Sequence, residues 1–374
     1  MNDEKSNDDL NTRSIQPKKK TGRLRFSLRS FFILAIIISM ALGFWGERWQ
    51  RQGAVVAHLE SRNLEYSYEP MDPKNSSFLG SLKKMCAGLL GNDFVYSLVK
   101  AKAELPKDLD EIAKVTWIEE LDVSEKRLTD EELDAMRDDD LRYEAYLAEQ
   151  DAIKWDLNKI AKLTGIKRLT LTGKTTDLSF LDNLNKLEYL DCYSSRIASG
   201  VEAIRGKVNL EAVTLRNFEI RDLSVFAESP QLRVLMLNGK DIESLGPLKA
   251  CPKLERVKIN AQRGMDEPLG AIKDYEALLS LSKLVQLDIG GSDFSDLNLV
   301  VHMPLSSLDI SNTKVVDLSP LKDSKSLTVI NLTACKIDDY SPLTTIPTLR
   351  LIISQLESEE TKSLQDLLPN CRIY

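Results

Sequence analysis

Histidine and cysteine are the side chains best suited to nucleophilic or metal chemistry. This chain has only two histidines and five cysteines. His58 and His302 lie far apart, and neither has a metal-ligating residue four positions later. Zinc sites and Cys–His catalytic pairs need such groups at defined spacings. The cysteines are dispersed and form no CxxC pair: Cys86, Cys192, Cys251, Cys335 and Cys371. Neither a metal centre nor a thiol nucleophile is therefore predicted.

The odd number of cysteines also excludes complete internal pairing. Dispersed cysteines are typical of buried free thiols, because an unpaired cysteine behaves as a small apolar residue. A single disulfide stays open if the domain is exported.

Carboxylates and glycines do not form a recognisable site either. The run Asp138–Asp140 lacks the glycine and the terminal glutamate of a calcium-binding loop, and such a run is typical of solvated surface. Gly290-Gly291 is too short to hold a phosphate, and no P-loop or GxGxxG is present. We therefore predict no cofactor, no metal, no catalytic residue and no enzymatic activity. A remote alternative is a hydrolase or transferase whose site lies in residues 126–160.

Composition and charge indicate a globular protein of 374 residues, 43% hydrophobic and 29% charged. The net charge is −7, and the exception is a basic cluster before residue 30, formed by Lys18, Lys19, Lys20, Arg23, Arg25 and Arg29. A nucleic-acid-binding protein would carry positive charge along its folded face. No nucleic-acid partner is therefore predicted.

An uncharged run, FFILAIIISMALGFWG, covers residues 31–46 and follows the basic cluster directly. If the run crosses a membrane, Arg29 could extend it by reaching the lipid headgroups at one end. Trp45 and Trp49 lie at the other end, at the membrane–water interface where aromatic residues are enriched. We predict a transmembrane helix; a cleaved signal peptide and a soluble helix are the alternatives. The excess of positive charge before the run predicts a cytoplasmic N-terminus and an extracytoplasmic C-terminal region.

The most specific pattern is a repeat, LxxLxL, which recurs every 21–23 residues with one spacing of 30. A single earlier copy begins at Ile118 and a degenerate last one at Leu349. The regular copies begin at Ile166, Leu187, Leu210, Leu232, Leu254, Leu284, Leu305 and Leu327. The last two apolar residues of the motif lie two apart, on the same side of a short strand. Parallel stacking of such strands buries one continuous core, as in leucine-rich repeats.

A second motif, Asp-Leu-Ser or a variant, follows several of these strands. Its Asp side chain can accept a hydrogen bond from a nearby backbone N–H, and the apolar residue that follows faces the core. Copies begin at Asp177, Asp222, Asp296, Asp317 and Asp339. A repeat of about 22 residues leaves room only for a short or 3₁₀-like turn on the convex side.

The repeats with DLSPL resemble those of internalin-type leucine-rich-repeat proteins. The basic tail, the segment RFSLRSFFILAIIISMALGFW and the terminal LPNCRIY resemble membrane-anchored repeat proteins of planctomycete bacteria. The resemblance implies an α/β leucine-rich-repeat solenoid with parallel strands on the concave face and short or 3₁₀ turns on the convex face. It implies no particular ligand.

The predicted organisation has four parts. Residues 1–30 are a cytoplasmic tail, 31–46 the anchor and 47–115 an N-terminal cap that covers the first repeat. The repeat domain spans 116–374, with insertions at 126–160 and 262–278.

The outward strand positions of a solenoid usually bind the partner. Here they offer Tyr, Arg and Met, which are enriched at interfaces, and the predicted binding residues are Arg168, Tyr189, Asp191, Tyr193, Arg216, Met236, Arg256 and Lys258. We expect an interaction module for a protein or glycan ligand. The alternative is a structural cell-envelope protein without a discrete ligand.

Overall fold

A computed structural model describes most of the chain beyond residue 45. The described residues are 46–70, 96–104, 106–124, 155–173, 177–218, 220–237, 242–259, 272–322, 324–354 and 358–374. The chain divides into two compact units, residues 1–48 and 49–374. Only residues 46–48 of the first unit are described, so the fold below is that of the second.

One sheet runs through the whole second unit, with its strands in chain order. The strands are β1 Tyr66–Pro70, β2 Tyr96–Ala103, β3 Glu120–Ser124, β4 Arg168–Gly173, β5 Tyr189–Ala198, β6 Ala212–Phe218, β7 Val234–Leu237, β8 Arg256–Ile259, β9 Gln286–Asp288, β10 Ser307–Asp309, β11 Val329–Asn331, β12 Leu351–Ile353 and β13 Arg372–Ile373. Strands β2 to β13 pair in parallel, whereas β1 pairs antiparallel with β2. The predicted parallel sheet of short strands is confirmed.

The register of the sheet aligns equivalent motif positions from one repeat to the next. Leu169 lies opposite Leu190, which lies opposite Val213, and all three are buried. A shift of one residue would turn every such side chain to solvent. The LxxLxL pattern thereby determines which side of each strand faces the core.

A short 3₁₀ helix follows most strands on the opposite side of the core. Those in the described part of the chain are Leu157–Lys162, Ser179–Asn183, Val201–Ile204, Leu223–Phe226, Gly246–Ala250, Tyr275–Ser280, Leu297–Leu299, Ser319–Leu321 and Ser341–Thr345. The Asp-Leu-Ser motif acts as predicted: the Asp222 side chain accepts a hydrogen bond from the Ser224 N–H at 2.8 Å. Leu181, Phe226, Leu321 and Leu343 are buried beneath these turns, also as predicted.

Three α-helices complete the described fold: α1 at residues 46–61, α2 at Pro106–Ile112 and α3 at Ser358–Leu367. The α1 helix contributes Val55, Val56 and Leu59 to the core. It is also bound to the sheet by a polar contact, because the buried Gln52 side chain accepts a hydrogen bond from the Leu98 N–H at 2.9 Å.

A buried carboxylate links α1 to α2. Asp108 accepts hydrogen bonds from His58 Nε2 at 2.8 Å, from Arg62 Nε at 3.3 Å and from the Glu104 N–H at 3.2 Å. A buried charge is tolerated when it is paired and hydrogen-bonded in this way. His58, one of the two histidines, thus has a structural partner.

The described cysteines are free, as predicted: Cys192, Cys251 and Cys371 are buried and Cys335 is half-buried. Cys86 lies outside the described residues.

Several other predictions fall on residues that are not described. Residues 31–45 of the anchor predicted at 31–46 are among them, together with most of the insertion at 126–160 and positions 262–271 of the second insertion. Among the described residues, no helix combines the length and the apolar character that a bilayer span requires. Anchoring and the domain boundaries stay predictions.

Candidate functional site

The candidate site is the side of the parallel sheet that faces away from the core, here called the sheet face. The strand register arranges its side chains in rows that cross the strands. All eight predicted binding residues lie on it, and none is buried. The first row contains Arg168, Tyr189 and Arg256, the second contains Asp191, Met236 and Lys258, and the third contains Tyr193 and Arg216.

Tyr189 is held by its neighbours in and beside the first row. The guanidinium of Arg168 lies 3.6 Å from the centroid of the Tyr189 ring. The Tyr189 hydroxyl donates a hydrogen bond to Glu211 Oε2 at 2.8 Å. This hydrogen bond and partial burial raise the pKa of Tyr189 above its ordinary value. One ring face and the hydroxyl are therefore already occupied within the protein.

Tyr193 is the more available aromatic residue, with 45% of its side chain exposed. It lies directly opposite Arg216 on β6, which is also exposed. Asp191 precedes this pair on β5; desolvation raises the pKa of its carboxyl, and the positive charge of Arg216 opposes the shift. The ring, the guanidinium and the carboxyl together form a mixed surface suited to protein recognition.

A shallow depression of about 200 Å³ lies beside these rows on β7 to β10, where Met236, Arg256 and Lys258 form one side and Asp288 and Asp309 the other. Lys258 Nζ lies 2.7 Å from Asp288 Oδ2. Burial raises the pKa of the Asp288 carboxyl, although this ion pair opposes the shift.

Arg256 has no ion pair with any residue in the described part of the chain. Its guanidinium is suited to bind a carboxylate of a partner. Among the described residues, no group of three or more His, Cys, Asp or Glu side chains is arranged to hold a metal ion. The geometry supports recognition by charge, hydrogen bonds and apolar contact.

Two contributors to this surface were missed at the sequence level. Glu211 fixes Tyr189, and Asn331 donates a hydrogen bond to Asp309 Oδ2 at 2.8 Å. In each case the partners lie 22 residues apart. This is the repeat spacing, so an alignment of the repeats with one another could have indicated both contacts.

Stacked parallel strands, most of which precede a short 3₁₀ helix, define a leucine-rich-repeat solenoid. No protein-family model and no curated protein sequence matches the chain. Among solved structures, an internalin from Listeria monocytogenes is similar, with 19% identity and a TM-score of 0.53, over 78% of this chain and 87% of that chain.

Two further structures have lower TM-scores. Internalin C2 from the same organism has 21% identity and a TM-score of 0.46, over 52% of this chain and 83% of its own. A leucine-rich-repeat protein of Leptospira interrogans has 12% identity and a TM-score of 0.43, over 74% of this chain and 88% of its own. At 19% identity, the similarity to the first internalin is evidence for the fold of this chain and not for its function. The chain has the leucine-rich-repeat fold in an internalin-like form.

Proposed function

We propose that the chain is a membrane-anchored interaction module that binds a protein partner on its sheet face and performs no catalysis. The observation that carries the proposal is the presence of partly exposed Tyr, Arg and Met side chains in neighbouring rows on one face of a parallel sheet. Aromatic residues and arginine contribute most to protein interfaces because they combine apolar area with directed hydrogen bonds.

The contact region is centred on Tyr193, Arg216 and Arg256. Tyr193 supplies a rigid ring, and the two guanidinium groups can bind carboxylates in a bidentate manner. Tyr189 has a supporting role, because its hydroxyl is bound to Glu211. The partner would thus present carboxylates beside an apolar side chain. A glycan would instead be recognised by stacking on Tyr193.

Membrane anchoring by residues 31–46 is part of the proposal and rests on the sequence. The basic residues before the run favour a cytoplasmic tail of residues 1–30. The cap at 47–115 and the repeat domain at 116–374 would then lie outside the cytoplasmic membrane. Protease digestion of intact cells, with and without permeabilisation, tests the orientation. Protection of the repeats before permeabilisation, in cells whose outer envelope admits the protease, would contradict it.

Site-directed photo-crosslinking in the native cells tests the sheet face. A photoreactive amino acid at position 193 should form a covalent product with one discrete protein, and Arg216→Glu should abolish it. The control position is 208, because Val208 is also exposed but lies outside the strands. Equal labelling from both positions would refute the placement, and products containing only a second copy of the chain would favour a structural envelope protein.

A further inference from the structure

One residue per repeat lies where each 3₁₀ helix leads toward the next strand, and it occupies the same backbone position in every repeat. Its N–H donates a hydrogen bond to the carbonyl three residues earlier, as in Leu281 to Leu278 at 2.9 Å. We call this set the turn-exit column. Its members are Leu163, Leu184, Lys207, Ser229, Cys251, Leu281, Met303, Ser324 and Ile346.

The turn-exit column belongs to the core, and most of its members are buried apolar side chains. The polar members Lys207 and Ser229 are buried too, and both are satisfied: Lys207 Nζ donates to the Asp182 carbonyl at 2.9 Å and Ser229 Oγ to the Lys207 carbonyl at 3.2 Å. Ser324 differs, because it is only half-buried and its hydroxyl makes no hydrogen bond to a described residue. A serine therefore stands where Met303 and Ile346 fill the same position in the neighbouring repeats.

A depression of about 540 Å³, here called the Ser324 notch, opens to solvent beside this serine. Its floor is apolar, formed by buried Met303, Leu305, Leu321 and Leu327. Its rim includes one apolar side chain, Val301, which is 46% exposed. Pockets of about 300–1,000 Å³ are large enough to bind ligands, and an apolar floor favours an aliphatic group.

The described ionisable side chains around the Ser324 notch are basic. Lys322, Lys325 and His302 are exposed and line it, and none of the three forms an ion pair with a described residue. Asp323 lies outside the described residues, and the other lining residues include no carboxylate. Two exposed lysines beside a notch whose described lining includes no carboxylate favour an anionic ligand.

We propose that the Ser324 notch docks an acidic peptide segment of a partner protein. One Leu-, Ile- or Met-like side chain occupies the place that Ser324 leaves empty in the turn-exit column. Flanking carboxylates of the segment pair with Lys322 and Lys325. The notch is separate from the sheet face, so this docking does not depend on the function proposed above.

The test is fluorescence polarisation with the full-length chain in nanodiscs of zwitterionic lipid. The probes are three fluorescein-labelled pentapeptides: Asp-Glu-Leu-Asp-Glu, the same peptide with alanine in place of leucine, and Lys-Lys-Leu-Lys-Lys. We expect saturable binding of the acidic leucine peptide. The alanine peptide should bind at least about tenfold more weakly, because a buried leucine contributes more than one order of magnitude. The basic peptide should not bind.

Two variants connect binding to the notch. Ser324→Leu supplies the missing side chain from within, so it should raise the thermal midpoint and weaken the acidic peptide at least about tenfold. Ser282→Leu adds the same side chain at an exposed serine outside the cavity, and it should leave binding unchanged. A second variant, which combines Lys322→Glu with Lys325→Glu, provides an independent test if Ser324→Leu does not fold. This charge reversal should abolish binding, whereas Lys283→Glu on another exposed lysine should not.

Several results would overturn the proposal. They are the absence of saturable binding up to about 1 mM, equal binding of the acidic leucine and alanine peptides, and unchanged binding by Ser324→Leu. Equal binding of the acidic and basic leucine peptides would show an apolar cavity without charge selection, and would also overturn it. Self-association of the nanodisc-bound chain that Ser324→Leu removes would assign the notch to a second copy instead.

Discussion

Gly200 should be among the least replaceable residues of the repeat domain. It follows β5, the strand that carries Tyr193, and has a φ of +78° at the start of the next 3₁₀ helix. A Cβ at this position would lie 2.1 Å from Asp177 Oδ1, 2.7 Å from the Leu178 nitrogen and 2.8 Å from the Ser179 nitrogen. Two of these atoms belong to the backbone, so an alanine could be accommodated only if the Asp177 turn moved.

The cost of Gly200→Ala has three parts. A left-handed backbone costs an L-residue about 1–2 kcal/mol. Forcing a methyl group into a packed site costs about 1–3 kcal/mol, and displacing the Asp177 side chain removes its hydrogen bonds to Ser179, worth about 1 kcal/mol. The sum is a destabilisation of about 3–6 kcal/mol.

Gly206→Ala is a matched control. Its φ of +74° is nearly the same, but its Cβ would meet only Glu228 Oε2, at 3.7 Å. It should cost about 1–2 kcal/mol, from the backbone alone. Thermal melting of both variants by circular dichroism separates the cost of the close contacts at Gly200 from the backbone cost that both glycines share. At about 2–4 °C per kcal/mol, Gly200→Ala should melt roughly 5–15 °C lower than Gly206→Ala. Equal midpoints would refute the reasoning.

Three further predictions concern charge and reactivity. Because burial raises the folded-state pKa of Asp288 above its ordinary 3.8, the ionised carboxylate destabilises the fold above that pKa, and the penalty disappears as the pH falls through it. Asp288→Asn should therefore raise the thermal midpoint at about pH 7 and leave it unchanged at about pH 3; a loss at pH 7 would contradict this. A double-mutant cycle of Arg168→Ala and Tyr189→Ala should show a coupling of about 0.5–1 kcal/mol in denaturant unfolding, and additive effects would reject the contact. Burial raises the pKa of Cys251 to about 11. Mass spectrometry after iodoacetamide treatment of the native protein should therefore find half-buried Cys335 modified before Cys251; equal rates for these two thiols would argue against the burial difference.

The repeat motif made the sheet predictable because each LxxLxL copy places two apolar residues on the same side of a strand. Leu169 and Leu171 alternate with the partly exposed Thr170, and the same alternation recurs in the following repeats. The antiparallel pairing of β1 with β2 was not predictable, because no motif governs the strand that begins at Tyr66. Helix α3 was also missed, since Ser358–Leu367 follows the last degenerate repeat and lies outside the period.

The candidate site was predictable in position and only partly in detail. The alternation of the strand places Tyr189 and Tyr193 on the sheet face whatever their neighbours are. That Tyr189 is engaged depends on Arg168 and Glu211, which belong to the two neighbouring repeats. Such contacts cross from one repeat to the next, and a pattern read along a single repeat does not contain them.

A repeat protein provides its own comparison set, because each position has a counterpart in the neighbouring repeats. In a core position, a departure from the common residue type must be satisfied internally or remain as a defect in packing. Lys207 and Ser229 are satisfied departures, with hydrogen bonds to carbonyls of the preceding repeats. The Ser324 hydroxyl makes no hydrogen bond to a described residue, and a depression with an apolar floor and two lysines in its lining lies at that repeat. Candidate binding sites in this fold therefore lie in two places. One is the set of outward strand positions, whose residue types the motif does not restrict. The other is a core position at which a repeat lacks the apolar side chain that its neighbours have.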